Sequence, residues 1–146
     1  MVTKPVPFET TLLVRDACLC LHVQRAARAL ARHFDDALRP VGLTSGQFSL
    51  LMSLNRPAPP AMKDVAELLG MDRTTLTAAL KPLVKKKFVT IAVDAEDRRS
   101  RLLSLTKIGE ATLARAVPIW KREHAMLEKA LPRGGDALRK DLLSLT

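Results

Sequence analysis

Two short helical patterns lie side by side in the stretch Val65-Ala-Glu-Leu-Leu-Gly-Met-Asp-Arg-Thr-Thr-Leu-Thr77. The first pattern covers Met62 to Leu69, and Gly70 suits the left-handed residue that ends a helix. Asp72 then offers a carboxylate to the free amides of a second helix that begins at Arg73. The residues expected to be buried are Val65, Leu68 and Leu69 in the first helix and Leu76, Leu80 and Leu83 in the second. Two short helices joined by a tight glycine-containing turn predict a helix-turn-helix.

A strand-rich pattern follows the second helix. Phe88 to Val93 and Arg101 to Leu105 have the composition of β-strands. Between them lies the polar segment Asp94-Ala-Glu-Asp-Arg-Arg-Ser100. We therefore expect a β-hairpin with a charged tip directly after the helix-turn-helix.

The residues before this unit predict an arm and two helices. Residues 1–10 carry two prolines and are expected to form the arm. From about Leu12 to Leu38 apolar residues recur at helical spacing, and Pro40 and Gly42 follow as stop signals. The stripe along this long helix consists of Leu19, Val23, Ala27, Leu30, Phe34 and Leu38. Thr44 and Gln47 have the spacing of a capping box. A helix should therefore begin at Ser45, with Phe48, Leu51 and Met52 pointing inward.

The residues after the hairpin predict two more helices. Thr106 is a candidate cap for a long helix in which Pro118 should produce a kink. The residues expected to be buried there are Ile108, Ala111, Val117, Trp120, Leu127 and Leu131. Pro132 and the Gly134–Gly135 pair break the chain before a final helix. That helix should bury Leu138, Leu142 and Leu145.

The composition fits a single helical domain with a basic surface. The 146 residues have a formal net charge of +9, four Phe, one Trp and no Tyr. Residues 73–101 hold eight basic and three acidic residues, so they contribute +5 of that charge. A basic surface suits phosphates or anionic membranes. We expect no membrane partner, because no apolar run is long enough to cross a bilayer, and we expect a cytoplasmic protein, because the first residues lack the features of a signal peptide.

The outward residues of the second helix suit the major groove of double-stranded DNA. They are Arg73, Thr74, Thr75, Thr77 and Lys81. Arginine can bond guanine at two positions, and threonine offers a hydroxyl and a methyl group to base edges. At the hairpin tip, Arg98 and Arg99, flanked by Arg101, can enter an adjacent minor groove. Lys85, Lys86 and Lys87 would add contacts to the DNA backbone.

With these motifs the chain resembles the MarR family of bacterial regulators. The resemblance runs from about Cys18 to Leu131. Its most specific parts are 43–48 (LTSGQF), 65–77 (VAELLGMDRTTLT) and 94–106 (DAEDRRSRLLSLT). It implies a mainly α-helical winged helix-turn-helix fold with a small β-hairpin wing, long dimerisation helices and a symmetric homodimer on a palindromic operator. It also implies a recognition helix at 73–86, a wing at 88–105, and a role for Asp97 in holding the wing tip, with Arg99 as the minor-groove residue.

The resemblance suggests three parts within one compact domain. These are an N-terminal arm with the first dimerisation helix at 1–40, a DNA-binding lobe at 41–106, and C-terminal dimerisation helices at 107–146. Two positions depart from the family pattern. Lys87 occupies a place that is usually glycine, and a left-handed lysine there costs about 1 kcal/mol more than glycine. Pro82 lies inside the recognition helix and should bend it or end it early.

Members of the family are often released from DNA by a small aromatic ligand. The positions that suit an aromatic or anionic effector here are His22, Arg25, Phe48, Met52 and Trp120, although ordinary core packing is the competing interpretation for the apolar three. Cys20 lies near the sequence position at which the organic-peroxide-sensing branch of the family has its reactive thiol. That branch supports its thiol with tyrosines, which this chain lacks. On one continuous helix, Cys18 and Cys20 would point about 200° apart and could not pair.

Three alternatives to a ligand-released repressor remain at this point. One is a thiol-based organic-peroxide sensor that uses Cys20. Another is a nonspecific architectural protein, and the same DNA contacts could also serve an activator. We do not expect an enzyme, since the sequence has no nucleophile elbow, glycine-rich phosphate loop or metal-ligand cluster. We expect no cofactor, no metal and no catalytic residue, with His33 and His124 as surface residues.

Overall fold

The structure is a computed structural model that describes residues 4–146. Its helices are α1 (Phe8–Ala17), α2 (Leu19–Leu38), α3 (Ser45–Ser53), α4 (Met62–Leu69), α5 (Arg73–Lys85), α6 (Lys107–Ala130) and α7 (Gly134–Leu143), and its strands are β1 (Val89–Val93) and β2 (Arg101–Leu105). A 3₁₀ turn, Arg39–Val41, follows α2. The fold is mainly α-helical with one β-hairpin, as predicted.

The expected long N-terminal helix is two helices. The backbone of Cys18 is extended, with φ −69° and ψ 111°, and it separates α1 from α2. The prediction of one helix from Leu12 was therefore wrong at this position. Helix α1 begins at Phe8, inside the expected arm, while the first three residues of that arm lie outside the described part of the chain. The end of α2 agrees with its stop signals, since Gly42 is left-handed at φ 75°.

The core lies between α2, the helix-turn-helix and the start of α6. Its fully buried side chains are Leu38, Leu50, Leu51, Val65, Leu76, Leu80, Leu83, Val89 and Leu103. The predicted stripe of α5 is therefore confirmed. In α3 and α4, two predictions of buried residues were wrong: Leu68 is 62% exposed and Met52 is 39% exposed. Met62 and Ala66 face the core from α4 instead, because Leu68 lies on the outer side of that short helix.

The helix caps follow the sequence signals. Thr44 and Gln47 form both hydrogen bonds of a capping box at the start of α3. Asp72 caps α5, and Thr106 caps α6 by accepting from the amide of Gly109. Gly70 ends α4 in the left-handed region at φ 65°. These caps fix where each helix begins and therefore which residues the helix-turn-helix exposes.

The hairpin pairs β1 and β2 in antiparallel register, with Val89 opposite Leu105 and Val93 opposite Arg101. The loop before α4 adds a short third element. Ala61 forms a bridge with Leu102, and the amide of Leu103 donates to the oxygen of Pro60 at 3.0 Å. The proline-rich loop was predicted, but its pairing with the hairpin was not. This pairing holds the wing against α4.

The terminal helices leave apolar residues uncovered. Helix α6 continues through Pro118 to Ala130 and buries Gly109, Thr112, Leu113 and Ala116. The expected burial of Ile108 and Ala111 was wrong, as both are exposed. Leu138, Leu142 and Leu145 are also exposed in this single chain, by 42%, 41% and 63%. Over residues 4–146, no helix combines the length and apolar character needed to span a bilayer.

Candidate nucleic-acid interface

The start of α5 is an exposed, well-capped helix end. Asp72 Oδ1 accepts a hydrogen bond of 2.7 Å from the amide of Thr75. Hydrogen bonds from the Thr75 backbone and side chain hold the pKa of the Asp72 carboxyl below its ordinary value. The carboxylate therefore stays charged at neutral pH and fixes the first turn. A helix beginning held in this way presents its first residues in a defined direction.

The predicted groove-facing residues of α5 lie together on its outer face. All five are exposed: Arg73, Thr74, Thr75, Thr77 and Lys81. A shallow depression of about 380 Å³ is lined by Arg73, Thr74, Thr77, Ala78 and Lys81. The Thr77 hydroxyl donates to the oxygen of Arg73 at 2.8 Å, so its oxygen and methyl group remain for an outside partner. Pro82 does not end the helix early, because α5 continues to Lys85.

Two aspartates shape the tip of the hairpin. Asp94 Oδ1 accepts from the amide of Glu96 at 2.9 Å, and Asp97 Oδ1 accepts from the amide of Arg99 at 3.0 Å. The oxygen of Asp97 also accepts from the amide of Ser100 at 2.9 Å. The Arg99 side chain is 94% exposed, with its Nε 3.5 Å from Asp97 Oδ1. Asp97 therefore holds the backbone on which Arg99 projects into solvent.

Arg101 differs from its neighbours at the tip. Its guanidinium donates to the oxygens of Arg98 and Ser100 at 3.0 and 3.3 Å, and the residue is half-buried. The sequence suggested a direct DNA contact for Arg101. The structure shows a side chain whose hydrogen bonds support the turn, whereas Arg98 and Arg99 are exposed.

The wing tip and the start of α5 face the same cleft. This cleft has a volume of about 600 Å³ and lies between α4, α5 and the hairpin. Its lining includes Arg73, Asp97, Arg99 and Arg101, with Lys63, Asp64 and Glu67 on α4. Arg73 lines both this cleft and the depression on the outer face of α5. The two elements predicted to contact DNA therefore lie on one side of the molecule.

The lysines after α5 have different surroundings. Lys86 Nζ donates to the oxygen of Gly42 at 3.1 Å and lies 5.9 Å from the ring centre of Phe88. Lys87 has the left-handed backbone that the family pattern implies, with φ 63°. Lys86 is therefore engaged in holding α5 against the loop before α3, which the sequence did not suggest. Lys85 and Lys87 are exposed.

The residues expected to bind an effector line two separate cavities of this chain. Phe48, Met52 and Trp120 line a cavity of about 470 Å³, together with Ser49, Ser53, Leu68, Val117 and Lys121. The rings of Phe48 and Trp120 stack with centres 6.1 Å apart, and His124 stacks on Trp120 at 4.6 Å. His22 and Arg25 line a different depression on α2. The sequence missed Lys121, the cation at the cavity, because only the fold brings it beside Phe48.

The cysteines and histidines form no shared site within residues 4–146. Cys18 is half-buried and Cys20 is exposed, and Gln24 Nε2 donates to Cys20 Sγ at 3.3 Å. His33 Nε2 lies 3.0 Å from Glu123 Oε2, which joins α2 to α6. No group of three or more metal-binding side chains occurs in this part of the chain.

An exposed helix N-terminus beside an arginine-tipped hairpin defines the winged helix-turn-helix class of proteins. The MarR family model matches residues 41–100. The organic hydroperoxide resistance transcriptional regulator of Bacillus subtilis is 30% identical over 101 residues, which cover 69% of each chain. The chain covers 64% of the length of another relative from that organism, the transcriptional regulator YwoH, at 32% identity.

Solved structures show the same similarity over most of the chain. The Mycobacterium tuberculosis transcriptional regulator MosR, solved in complex with DNA, is 35% identical with a TM-score of 0.81, covering 88% of this chain and 92% of MosR. The transcriptional repressor CouR, solved on a 23-mer DNA duplex, is 32% identical with a TM-score of 0.73, covering 90% and 92% of the two chains. The chain belongs to the MarR family of transcriptional regulators.

Proposed function

We propose that this protein is a sequence-specific DNA-binding regulator that represses nearby genes as a homodimer and is released by a small effector. The observation that carries the proposal is the position of Arg73, which lines both the outer face of α5 and the cleft that reaches Arg99 at the wing tip. In this proposal the protein acts in the cytoplasm, has no catalytic activity and needs no cofactor.

On a duplex, α5 enters the major groove while the hairpin reaches the neighbouring minor groove. Arg73 reads a base edge, and Thr74, Thr75, Thr77 and Lys81 contact bases or phosphates around it. Arg98 and Arg99 extend from the tip toward the minor groove, where a narrow A·T tract has the most negative potential. Arg101 and Asp97 support the tip, consistent with their hydrogen bonds within the turn.

A second copy of the chain covers the apolar residues of the terminal helices. Exposed large apolar side chains cluster on α1, the start of α2 and α7: Phe8, Leu13, Leu19, Leu138, Leu142 and Leu143. Large apolar side chains left exposed on terminal helices suit an interaction surface. A two-fold dimer through these helices presents two copies of α5, which then read a palindrome with half-sites about one helical turn apart. In this arrangement residues 41–106 form the DNA-binding lobe between two dimerisation segments, 1–40 and 107–146.

The effector binds in the cavity beside Trp120. The cavity is lined mainly by apolar side chains, and Lys121 supplies a positive charge for an acidic group. The repressor CouR has also been solved bound to p-coumaroyl-CoA. A ligand at this place releases DNA only if it binds the DNA-free conformation more tightly than the DNA-bound one.

Thiol-based sensing is a second candidate, supported by the surroundings of Cys20. The thiol is exposed and accepts a hydrogen bond from Gln24, and the 30% identical Bacillus regulator is one of organic hydroperoxide resistance. An organic hydroperoxide should then release DNA from the wild-type protein and from Cys18→Ser, but not from Cys20→Ser. Release from all three proteins would remove Cys20 from the mechanism.

Selection of bound duplexes from a random library tests the main proposal. We expect an enriched palindrome, and a complex whose mass corresponds to two chains on one duplex. Equal recovery of all sequences would instead indicate a nonspecific architectural protein. The selected duplex then serves in gel shifts with aromatic acids and with organic hydroperoxides, which separate the two modes of release. Consumption of hydroperoxide over many turnovers would contradict the absence of catalysis.

A further inference from the structure

Three arginines form a cationic stripe along α2. Arg25, Arg28 and Arg32 are all exposed, at spacings of three and four residues that place them on one side of the helix. His22 extends the stripe by one turn toward the N-terminus. The core-facing residues Phe34 and Leu38 lie on the opposite side of α2. We call the four residues His22, Arg25, Arg28 and Arg32 the arginine stripe.

The three arginines of the arginine stripe have no carboxylate within 4 Å among residues 4–146. Arg25, Arg28 and Arg32 form no salt bridge there, whereas Arg15, Arg39, Arg122 and Arg139 each have a carboxylate within 4 Å. The two acids nearest along α2 are engaged elsewhere. Asp35 Oδ1 accepts from the amide of Ser45 at 2.7 Å, and Asp36 pairs with Arg39 at 2.6 Å. Like charges at these spacings destabilise a helix, so the stripe opposes the stability of α2.

Small side chains make the arginine stripe concave. Ala26 and Ala29 lie between the charged residues, and together they line a depression of about 480 Å³. His22 Nδ1 lies 2.7 Å from the oxygen of Cys18. Because a carbonyl oxygen only accepts, Nδ1 carries the proton and Nε2 remains free. The depression thus has guanidinium groups on its walls, an imidazole nitrogen at one end and little steric bulk on its floor.

We infer that the arginine stripe binds a small organic or inorganic polyphosphate. Guanidinium groups match phosphate oxygens in a bidentate geometry and remain charged at any physiological pH. The Cα atoms of Arg25 and Arg32 lie about 10 Å apart along the helix axis. A single carboxylate or monophosphate reaches only part of that length, whereas a chain of two or three phosphates can contact all three arginines. This site is separate from the effector cavity and does not depend on the proposed DNA contacts.

Calorimetric titration of the full chain without magnesium tests the inference. The probes are tripolyphosphate, ATP, ADP and AMP. We expect affinity to rise with the number of phosphates, with ATP at least about tenfold tighter than AMP, since each added charge-assisted hydrogen bond contributes strongly. Tripolyphosphate as tight as ATP indicates that phosphates alone are recognised, and tighter ATP indicates a nucleoside contact. No binding of any probe at low salt would overturn the inference.

Two matched triple variants locate the binding. Arg25→Gln/Arg28→Gln/Arg32→Gln should weaken tripolyphosphate binding by about tenfold or more and leave affinity for the selected duplex unchanged. Arg56→Gln/Arg115→Gln/Arg133→Gln removes the same charge from other exposed arginines and should retain binding. Circular dichroism confirms that each variant is folded. Equal weakening in both variants would overturn the inference.

A third triple variant separates this site from the DNA surface. Arg73→Gln/Arg98→Gln/Arg99→Gln should lose duplex binding while it keeps tripolyphosphate binding. Loss of tripolyphosphate binding in this variant alone would place the anion on the DNA surface and refute the site on α2. Loss of duplex affinity in the α2 variant would make the stripe a DNA contact, which also contradicts the inference.

Discussion

The hydroxyl of Thr106 donates a hydrogen bond of 2.6 Å to the backbone oxygen of Lys87. The same hydroxyl oxygen accepts from the amide of Gly109 and so caps α6, while the amide of Thr106 donates to the oxygen of Phe88 at 3.0 Å. One side chain therefore joins the base of the wing to the first turn of α6. Helix α6 also carries Trp120 and Lys121, so the helix that begins at this junction lines the cavity proposed for the effector.

Lys87→Gly should stabilise the protein. Lys87 holds the left-handed backbone at φ 63°, where a residue with a Cβ is disfavoured relative to glycine by about 1 kcal/mol. Urea denaturation should show a free energy of unfolding higher by about that amount. Lys87→Ala is the control, since it removes the charge and keeps the strain. A glycine variant no more stable than the alanine variant would show that the backbone at this position stores no strain.

Gly109→Ala should destabilise the protein. A Cβ at Gly109 would lie 2.2 Å from the oxygen of Phe88, closer than two such atoms can approach. The junction must then open, and we expect a loss of about 1–3 kcal/mol in the free energy of unfolding. Gly46→Ala is the matched control, because it lies in α3 with nothing within 4 Å of the added atom. A Gly109 variant as stable as the Gly46 variant would contradict the close approach.

The cap at Asp72 should make stability depend on pH. Its carboxyl has a lowered pKa in the folded state because of the hydrogen bonds from Thr75. A lowered pKa contributes stability above the unfolded value of about 3.8, and this contribution is lost as the pH falls through the folded value. Asp72→Asn keeps an acceptor but cannot titrate, so the stability difference between it and wild type should shrink as the pH falls below about 3.8. A difference that stays constant through that range would refute the linkage.

Asp97 should support the wing tip through the hydrogen bond that it accepts, and not through its negative charge. Asp97→Asn retains an oxygen for the amide of Arg99, which Asp97 Oδ1 accepts at 3.0 Å. Asp97→Ala leaves that amide without its partner and frees the turn. We expect Asp97→Ala to weaken binding of the selected duplex about as much as Arg99→Ala, while Asp97→Asn binds at least as well as wild type. If the asparagine and alanine variants bind equally weakly, the hydrogen bond is not what positions Arg99.

Local sequence rules predicted the parts of the fold that depend on neighbouring residues. The caps at Thr44, Asp72 and Thr106 each involve an amide three residues away, and Gly70 needs only its own backbone freedom. The burial of the α5 leucines was predicted correctly because they all lie on the one face of the helix that packs against the core. The same local rules, with the family resemblance, also indicated the left-handed Lys87 and the turn at Asp97.

Features that depend on distant contacts could not be predicted in this way. No proline or glycine marks the break at Cys18, so a continuous apolar pattern concealed it. The engagement of Lys86 with Gly42 spans 44 positions of sequence, and the pairing of Leu103 with Pro60 also joins distant segments. Leu138, Leu142 and Leu145 have an apolar helical spacing, yet they stay 42%, 41% and 63% exposed in their own chain.

The most direct test of the account compares Arg73→Ala and Arg99→Ala on one set of duplexes. Dissociation constants are measured on the selected palindrome, on each single base-pair change within a half-site, and on altered A·T flanks, at one fixed salt concentration. Arg115→Ala, which removes an exposed arginine from α6, is the control for charge. We predict that Arg73→Ala costs about 1–3 kcal/mol and relaxes preference at one base pair. We also predict that Arg99→Ala weakens binding and removes preference for A·T in the flank of the same half-site. If neither variant differs from Arg115→Ala on any duplex, α5 and the wing do not contact DNA together.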